Sequence, residues 1–322
     1  MVSGEVLGAP LCGPADVMWV YSAPLTTCIP AFAIKKFCGI PFIFGIHDMW
    51  PETLSVTGMV PEDGFIYRSM GALADRAYRA ASAITVISPG FKKNLIGKGV
   101  TADKIHVIPN WANEEIYRPI PADSALAKKC GLEGKFNVIY GGNIGLAQAM
   151  DNVLEAACLL RDLRHVQLVF VGDGVDENRL RRETARRQLD NVRFLGRKPE
   201  KEMPYYLSLA DVLLVHLKRD PLFEITIPSK IMTYLAMGRP VLCSVAGDAA
   251  DVVVNAKAGL ACYPEDPRAL AETIRNLYFM PKDQLERMGR SGRVAFEAKY
   301  SVAALMDAYE DLFQRVVHEA VG

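Results

Sequence analysis

Short apolar runs bounded by turn residues alternate along the chain with longer stretches whose apolar positions recur at helical spacing. That alternation predicts parallel sheets joined by crossover helices, an α/β chain rather than an all-β or all-α one. A first series of strands is expected at Val17–Tyr21, Pro41–Ile46, Ala83–Ile87 and Lys104–Ile108. A second series is expected at Phe136–Tyr140, Val166–Val171, Val192–Leu195, Asp211–Val215 and Pro240–Ser244, with helices near Met150–Leu163, Glu177–Leu189, Glu202–Ser208 and Ser229–Met237. Between the series, Asn113–Lys135 contains Pro119 and Pro121 and no strong strand, so it reads as a connection with the domain boundary near residue 120. Ser301–Val316 predicts a last amphipathic helix, with Ala303, Leu305, Met306, Tyr309, Leu312 and Phe313 on one face. The longest uncharged run, Val17–Ile34, is interrupted by Pro24 and Pro30 and diluted by Ser22, Thr26 and Thr27, which favours a buried strand followed by a helix over a membrane span.

Composition narrows the picture. A chain of 322 residues that is 50% hydrophobic and 23% charged can close about two cores, which excludes disorder. Lys and Arg total 37 and Asp and Glu total 37, so the net charge is zero. A general nucleic-acid binder needs a long-range positive field, so nucleic acid is not an expected partner and any phosphate site must be local. The seven cysteines are scattered singly, with no C-x-x-C and no Cys/His cluster at zinc spacing. They read as small buried apolar groups in a reducing compartment. Met1–Pro10 carries no basic residue ahead of an apolar stretch, so no secretory signal is expected.

Three segments carry candidate chemistry. Val138–Gly145 is a strand ending in three glycines, Gly141, Gly142 and Gly145, ahead of a helix. Such a turn either closes a tight strand-to-helix connection or aims free N–H groups at an anion, for which a diphosphate is the natural guest. Phe170–Gly174, with Gly172 and Gly174, repeats the arrangement one crossover later, at the strand end where open sheets bind ligands. Two such turns favour a nucleotide. The second segment, Pro221–Pro240, enters a helix at Pro228 and Ser229 and leaves it at Gly238. Lys230 in the first turn opposes the helix dipole, so it is either solvated or meets an anion there. Glu224 is a surface carboxylate or an acceptor for sugar hydroxyls. The third segment places His47, Asp48, Trp50 and Glu52 just beyond a buried strand, a rim able to contact a sugar. His106, His165, His216 and His318 have no partners at readable spacing and are read as structural or exposed. The run of Arg179, Arg181, Arg182, Arg186 and Arg187 is interleaved with Glu177, Glu183 and Asp190 and reads as a salt-bridged helix face.

From Asp16 onward the sequence resembles the family 4 glycosyltransferases of the two-Rossmann GT-B fold, in the bacterial branch of colanic-acid and O-antigen transferases of the L-fucosamine-transferase type. The likeness is carried by His47–Glu52, Val86–Gly90, Val107–Trp111, Gly141–Gly145, Val171–Gly174, Phe194–Gly196, Ile227–Lys230 and Tyr234–Ala236. It implies an acceptor-side Rossmann-like domain over 1–120, a donor-binding one over 121–300, and a C-terminal helix, 301–322, that packs back toward the first. It also implies a nucleotide-sugar donor, in particular a UDP-sugar, a glycan or polyprenyl-linked acceptor, and transfer with retained anomeric configuration. By position, Gly142, Asn143, Gly145 and Gly172 would lie by the donor diphosphate, with Lys230 and Ser229 beside it and Arg197 near the base. Glu224 would face the donor sugar, His47 would contact that sugar from the other domain, and Asp48, Trp50 and Glu52 would belong to the acceptor side. No D-x-D occurs in the chain, so neither a metal nor another cofactor is expected.

The chain departs from the family pattern in three places. Thr233 stands where the wider family has a carboxylate, and a hydroxyl cannot accept two ribose hydrogen bonds as a carboxylate can. Asn143 and Gln148 stand where the wider family has Arg and Lys, although this branch uses the Asn-Ile-Gly turn. The opening strand and glycine-rich loop of the relatives are not found before Asp16, so the first domain is expected to be truncated, with room for a partner chain that supplies the missing part. Two further readings follow, a nucleotide-binding remnant without catalysis and a sugar-nucleotide epimerase. The relatives' lipid-linked acceptors imply a cytoplasmic enzyme, with peripheral contact at the inner face of the plasma membrane.

Overall fold

The computed structural model describes residues 15–321. Cys12, the Met1–Pro10 segment and the expected shortened opening lie outside the described residues. The first sheet is built from β1 (Met18–Tyr21), α1 (Cys28–Cys38), β2 (Phe42–Ile46), α2 (Glu52–Val56), α3 (Phe65–Ala80), β3 (Ala83–Val86), α4 (Pro89–Gly97) and β4 (Ile105–Val107). Its strands are parallel and run in the order β1-β2-β3-β4. Every residue of β2 and β3 is buried, which is why these strands read as unbroken apolar runs rather than as an alternation. The helices between them start and stop on local signals: Ser88 Oγ accepts from Phe91 N–H at 3.0 Å with Pro89 in the first turn of α4, and Gly39 ends α1 at φ 74°.

The second sheet follows through α5 (Ser124–Cys130), β5 (Phe136–Gly141), α6 (Met150–Leu159), β6 (Val166–Val171), α7 (Glu177–Arg186), β7 (Val192–Phe194), α8 (Met203–Leu207) and β8 (Val212–His216). It is completed by α9 (Pro221–Glu224), α10 (Ser229–Ala236), β9 (Val241–Ser244), α11 (Asp248–Asn255) and β10 (Gly259–Ala261), after which come α12 (Pro267–Tyr278), α13 (Lys282–Lys299) and α14 (Val302–Val321). The strands are parallel, in the order β10-β9-β8-β5-β6-β7. Successive residues point to opposite faces, and each face has its own core. Ile139, Leu213 and Val215 go to one, and Val138, Tyr140, Val212 and Leu214 go to the other. Both sheets are therefore Rossmann-like α/β layers. Four of the five arginines on and just after α7 are salt-bridged, Arg179 to Asp151 and Asp176, Arg181 to Glu177, and Arg186 and Arg187 to Glu183, while Arg182 donates to Asn178 O instead.

Contacts divide the chain after Pro109: the part up to Pro109 with Leu305 onward forms one unit, and Asn110–Ala304 the other. The division falls ahead of residue 120 because Ala112, Tyr117 and Ile120 pack into the second core. The prolines there turn the chain without deciding which core it joins. In the first unit Leu305, Tyr309, Leu312 and Val316 of α14 join Ile43, Ala83 and Ile108, and the Tyr309 ring meets Trp19 edge-on at 6.2 Å. Ala303 and Met306, expected on the same face, are exposed. The buried stripe begins at Leu305, and Met306 lies about 100° around the helix from it. β10 is not among the expected strands. It is three residues long and begins at Gly259, where a Cβ would lie 1.8 Å from the Val241 carbonyl oxygen, so the position demands glycine rather than the β-branched residues that mark a strand. No helix among the described residues is long and apolar enough to cross a membrane.

Candidate functional site

In the second sheet β5 lies between β6 and β8. The chain leaves β5 toward β6 and β7 and returns on its other side through β8, β9 and β10, so the carboxyl end of β5 is a point where the winding reverses and a crevice opens. The two glycine turns meet there. Gly142 N–H donates to Val171 O at 2.9 Å, Ile144 N–H to Asp173 O at 2.7 Å, and Asp176 N–H to Ile144 O at 3.1 Å. A Cβ on Gly172 would lie 1.9 Å from Gly142 O, and one on Gly174 would lie 2.2 Å from Ile144 O. Gly172 and Gly174 are accounted for by this backbone-to-backbone packing, and Gly172 N–H is taken by Gly196 O at 3.0 Å.

The packing decides which amides remain. Gly145 N–H is held by Gln148 Oε1 at 2.9 Å, inside a short 3-10 turn over Leu146–Gln148. The N–H groups of Asn143, Leu146 and Ala147 have no acceptor among the described residues. Unused donors gathered on one turn form a nest for an anion.

Lys230 supplies a positive charge at the same turn. From the second position of α10 its Nζ donates to Tyr140 Oη, lies 3.8 Å from the centre of the Tyr140 ring, and comes within 3.4 Å of where a Cβ on Gly142 would stand. It forms no ion pair with a described carboxylate. Burial without a counter-charge pulls its pKa down to about 7. Four residues on, Tyr234 Oη accepts from Gly141 N–H at 2.8 Å and donates to Gly141 O at 3.2 Å. Lys230 and Tyr234 thus share a face of α10 and both grip the end of β5. The expectation that Lys230 is either solvated or opposite an anion is refined: it turns back from its own helix onto an aromatic ring.

His216, read from sequence as structural or exposed, is fully buried behind this turn. Its Nδ1 is 2.7 Å from Gln148 O and its Nε2 is 2.8 Å from Asn152 Nδ2. The carbonyl can only accept and the amide NH2 can only donate, so the ring is neutral with its proton on Nδ1. Burial, countered in part by the Gln148 carbonyl, lowers its pKa to about 4. Lys218 N–H also reaches the turn, donating to Ala147 O at 2.9 Å. The end of β8 therefore fixes the far side of the Leu146–Gln148 turn.

The remaining donor-side candidates lie in the same unit. Ser229 is exposed at the first position of α10, and Thr233 is half-buried one turn after Lys230. Glu224 ends α9 with its side chain exposed, and its backbone is pinned: a Cβ on Gly247 would stand 2.0 Å from Glu224 O. Arg197 has 80% of its side chain exposed and lies 3.7 Å from Asp173.

In the first unit the rim follows β2. His47 N–H donates to Ser22 Oγ at 3.4 Å, and its ring meets Tyr21 edge-on at 4.8 Å. Burial raises the Asp48 pKa, and burial and then Asp48 raise that of Tyr21. Trp50 Nε1 is buried without a partner. Glu52 is ion-paired with Lys98, while its Oε2 is buried and unpartnered. The four residues sit on one connection, and Glu52 already has a structural partner at the end of α4. The sequence marks Gln148 only as a departure from the family pattern and His216 as structural or exposed, and it gives Tyr140 and Tyr234 no site role. The spacing of Lys230 and Tyr234 was a readable signal for one of them. Tyr140 reads only as a core position, because nothing in the sequence tells which way its hydroxyl turns. Among the described residues no group of three His, Cys, Asp or Glu side chains is placed to hold a metal ion.

Comparison with known proteins identifies the fold and the family. The glycosyltransferase WbjE of Pseudomonas aeruginosa, which carries the qualifier probable, is 27% identical over 271 residues, covering 83% of this chain and 66% of its own length. WcaI of Escherichia coli (strain K12), named for colanic acid biosynthesis, is 28% identical over 269 residues, covering 80% of this chain and 65% of its own. The chain thus spans about two thirds of the length of these relatives. The crystal structure of Anabaena Alr3699/HepE in complex with UDP superposes with a TM-score of 0.81 at 18% identity, over 98% of this chain and 82% of that one. At that identity it shows the fold, which is GT-B. A glycosyl transferase 4-like domain model matches residues 9–111, and the model for glycosyl transferases group 1 matches residues 124–295, more than half of the chain, which therefore belongs to the group 1 glycosyl transferases.

Proposed function

We propose that the chain transfers a glycosyl group from a UDP-sugar to a surface-polysaccharide or lipid-linked acceptor with retention of anomeric configuration. The observation that carries this reading is the turn after β5, where the amides of Asn143, Leu146 and Ala147, unused among the described residues, lie with an ammonium, Lys230, that no described carboxylate neutralises. A pyrophosphate matches both features. WcaI, named for colanic acid biosynthesis, and the UDP held by HepE support the choice of donor and acceptor class, and lipid-linked acceptors would bring the enzyme to the inner face of the plasma membrane.

Cleaving a glycosyl–phosphate bond builds positive charge on the sugar ring and negative charge on the departing diphosphate. The amides and Lys230 are suited to stabilise that negative charge without reorganisation. Glu224 serves the hydroxyls of the donor sugar and Thr233 the ribose. His47 contacts the sugar, with Asp48 and Trp50 on the acceptor side. The departing phosphate oxygen takes the acceptor's proton on the face it leaves, which retains configuration and asks for neither a protein nucleophile nor a metal ion.

Calorimetry with UDP, followed by assay of UDP release from UDP-sugars with a polyprenyl-linked glycan, tests the reading. Binding together with acceptor-dependent release supports it, and the anomeric proton coupling of the product decides retention. A folded protein with no affinity for any nucleoside diphosphate would overturn it, and so would an isomerised nucleotide sugar formed without acceptor.

A further inference from the structure

The amino-terminal end of the second sheet, opposite the glycine turns, carries a separate feature. The segment ahead of β5, the α6–β6 connection and the α7–β7 connection surround an open basin of about 900 Å3. Lys135, Arg161, Arg164 and Arg193 line it, against one carboxylate, Asp190. None of these four cations is ion-paired with a described carboxylate. Lys135 and Arg161 donate instead to the carbonyls of Arg164 and Arg187, contacts that brace the loops and leave the charge uncompensated. On a protein of zero net charge, so local a surplus is a feature of the basin and not of the surface at large.

A second observation lies in the basin wall. Gln167, the second residue of β6, is only 4% exposed. Its Oε1 is buried without a partner, and no described residue hydrogen-bonds its amide. A buried amide oxygen left without a donor is unfavourable, so a ligand hydroxyl that donates to it is favoured. That combination suits a ligand with an anionic group for the guanidiniums and a hydroxyl for the amide.

We propose that this basin is a second ligand site, for a phosphate ester bearing free hydroxyl groups. Guanidinium forks match phosphate oxygens, and Gln167 reads the neighbouring hydroxyl. The chemistry is shared by a soluble polyol or sugar phosphate and by the phosphoglycerol headgroup of a membrane lipid. Two probes separate them: glycerol 3-phosphate in calorimetry, and phosphatidylglycerol against phosphatidylcholine vesicles in sedimentation. The expected result is binding of at least one anionic probe, weakened about tenfold or more by the double substitution Arg164→Gln, Arg193→Gln, with UDP affinity unchanged in the same preparation. Both arginines are exposed, so this variant keeps the test open if a change at Gln167 disturbs folding. Binding of glycerol 3-phosphate identifies a soluble ligand, and binding of vesicles alone identifies a lipid. Gln167→Leu is expected to weaken glycerol 3-phosphate while sparing inorganic phosphate. The proposal is overturned if neither probe binds, if the arginine variant binds as well as the parent, or if UDP displaces glycerol 3-phosphate. Equal loss of both small probes in Gln167→Leu overturns the hydroxyl assignment.

Discussion

The ammonium of Lys230 rests on the ring of Tyr140, 3.8 Å from its centre, and donates to the hydroxyl of that same tyrosine. The hydroxyl donates onward to Asn143 O at 2.6 Å, so the charge is wired through one phenol to the turn whose amides are unused. Strand, turn and helix act as one unit.

This coupling makes the site sensitive to pH near neutrality. Partial burial lowers the pKa of Lys230 to about 7, and a bound diphosphate would favour its charged form, so binding above pH 7 takes up a proton. Relative to Lys230→Arg, whose charge does not titrate in this range, UDP affinity should fall above about pH 7 by up to tenfold per unit. Lys230→Ala should lose about 1–3 kcal/mol of UDP binding at about pH 6. Calorimetry from about pH 6 to about pH 9, a span that brackets the transition, checks both. Unchanged affinity in Lys230→Ala would refute the role.

The contact between the glycine turns predicts a sharp difference between two alanine substitutions. Gly172→Ala drives a Cβ to 1.9 Å from Gly142 O, whereas at Gly39, also at positive φ, a Cβ meets nothing within 4 Å. Gly39→Ala should cost about 1 kcal/mol. Gly172→Ala should cost more than ~3 kcal/mol and remove UDP binding. Urea unfolding of the pair measures this, and equal midpoints would contradict the packing.

His216 predicts an acid limit. Its pKa is lowered to about 4 in the folded protein against 6.5 unfolded, so the unfolded chain binds the extra proton between those values. The stability it contributes is complete above about pH 6.5 and is lost as pH falls toward 4, up to ~3 kcal/mol. His216→Gln, which does not titrate, should show a shallower loss of thermal stability from about pH 6.5 to 4. Identical profiles would place the acid sensitivity elsewhere.

At Thr233 a carboxylate would accept two ribose hydroxyls where the native side chain can accept less. Thr233→Glu should tighten UDP and leave a 2′,3′-dideoxy analogue unaffected. Equal effects on the two nucleotides would reject a ribose contact.

His47 lies in the other unit from the glycine turns. His47→Ala should spare UDP affinity and reduce transfer, compared by calorimetry and UDP-release assay. Joint loss of both would point to folding instead.

Most of the fold was legible because the central strands of both sheets are buried on their two faces, which writes β2, β3, β5, β6 and β8 into the sequence as predominantly apolar runs. β10 was illegible for the converse reason: Gly259 serves a close backbone approach and carries no strand signal. At the site, the glycines and Lys230 could be found by spacing. The partition of amides into used and unused could not, since it depends on Val171 O and Asp173 O arriving from the next crossover. The partners of His216 were unreadable for a similar reason, because Gln148 and Asn152 are distant in sequence and meet it only when β8 inserts beside β5.

The return of α14 to the sheet of the first unit bears on how the molecule is made. A ribosome emits Ile43 and Ala83 first, but the side chains that cover them, Leu305, Tyr309, Leu312 and Val316, emerge only after the whole of Asn110–Ala304. While the second unit is being made that oily face stays bare, the circumstance in which nascent chains clump or recruit chaperones. A stop codon just after Ser301 would make the condition permanent, so insolubility, rather than a quiet loss of the last helix, is the fate to expect of such a product.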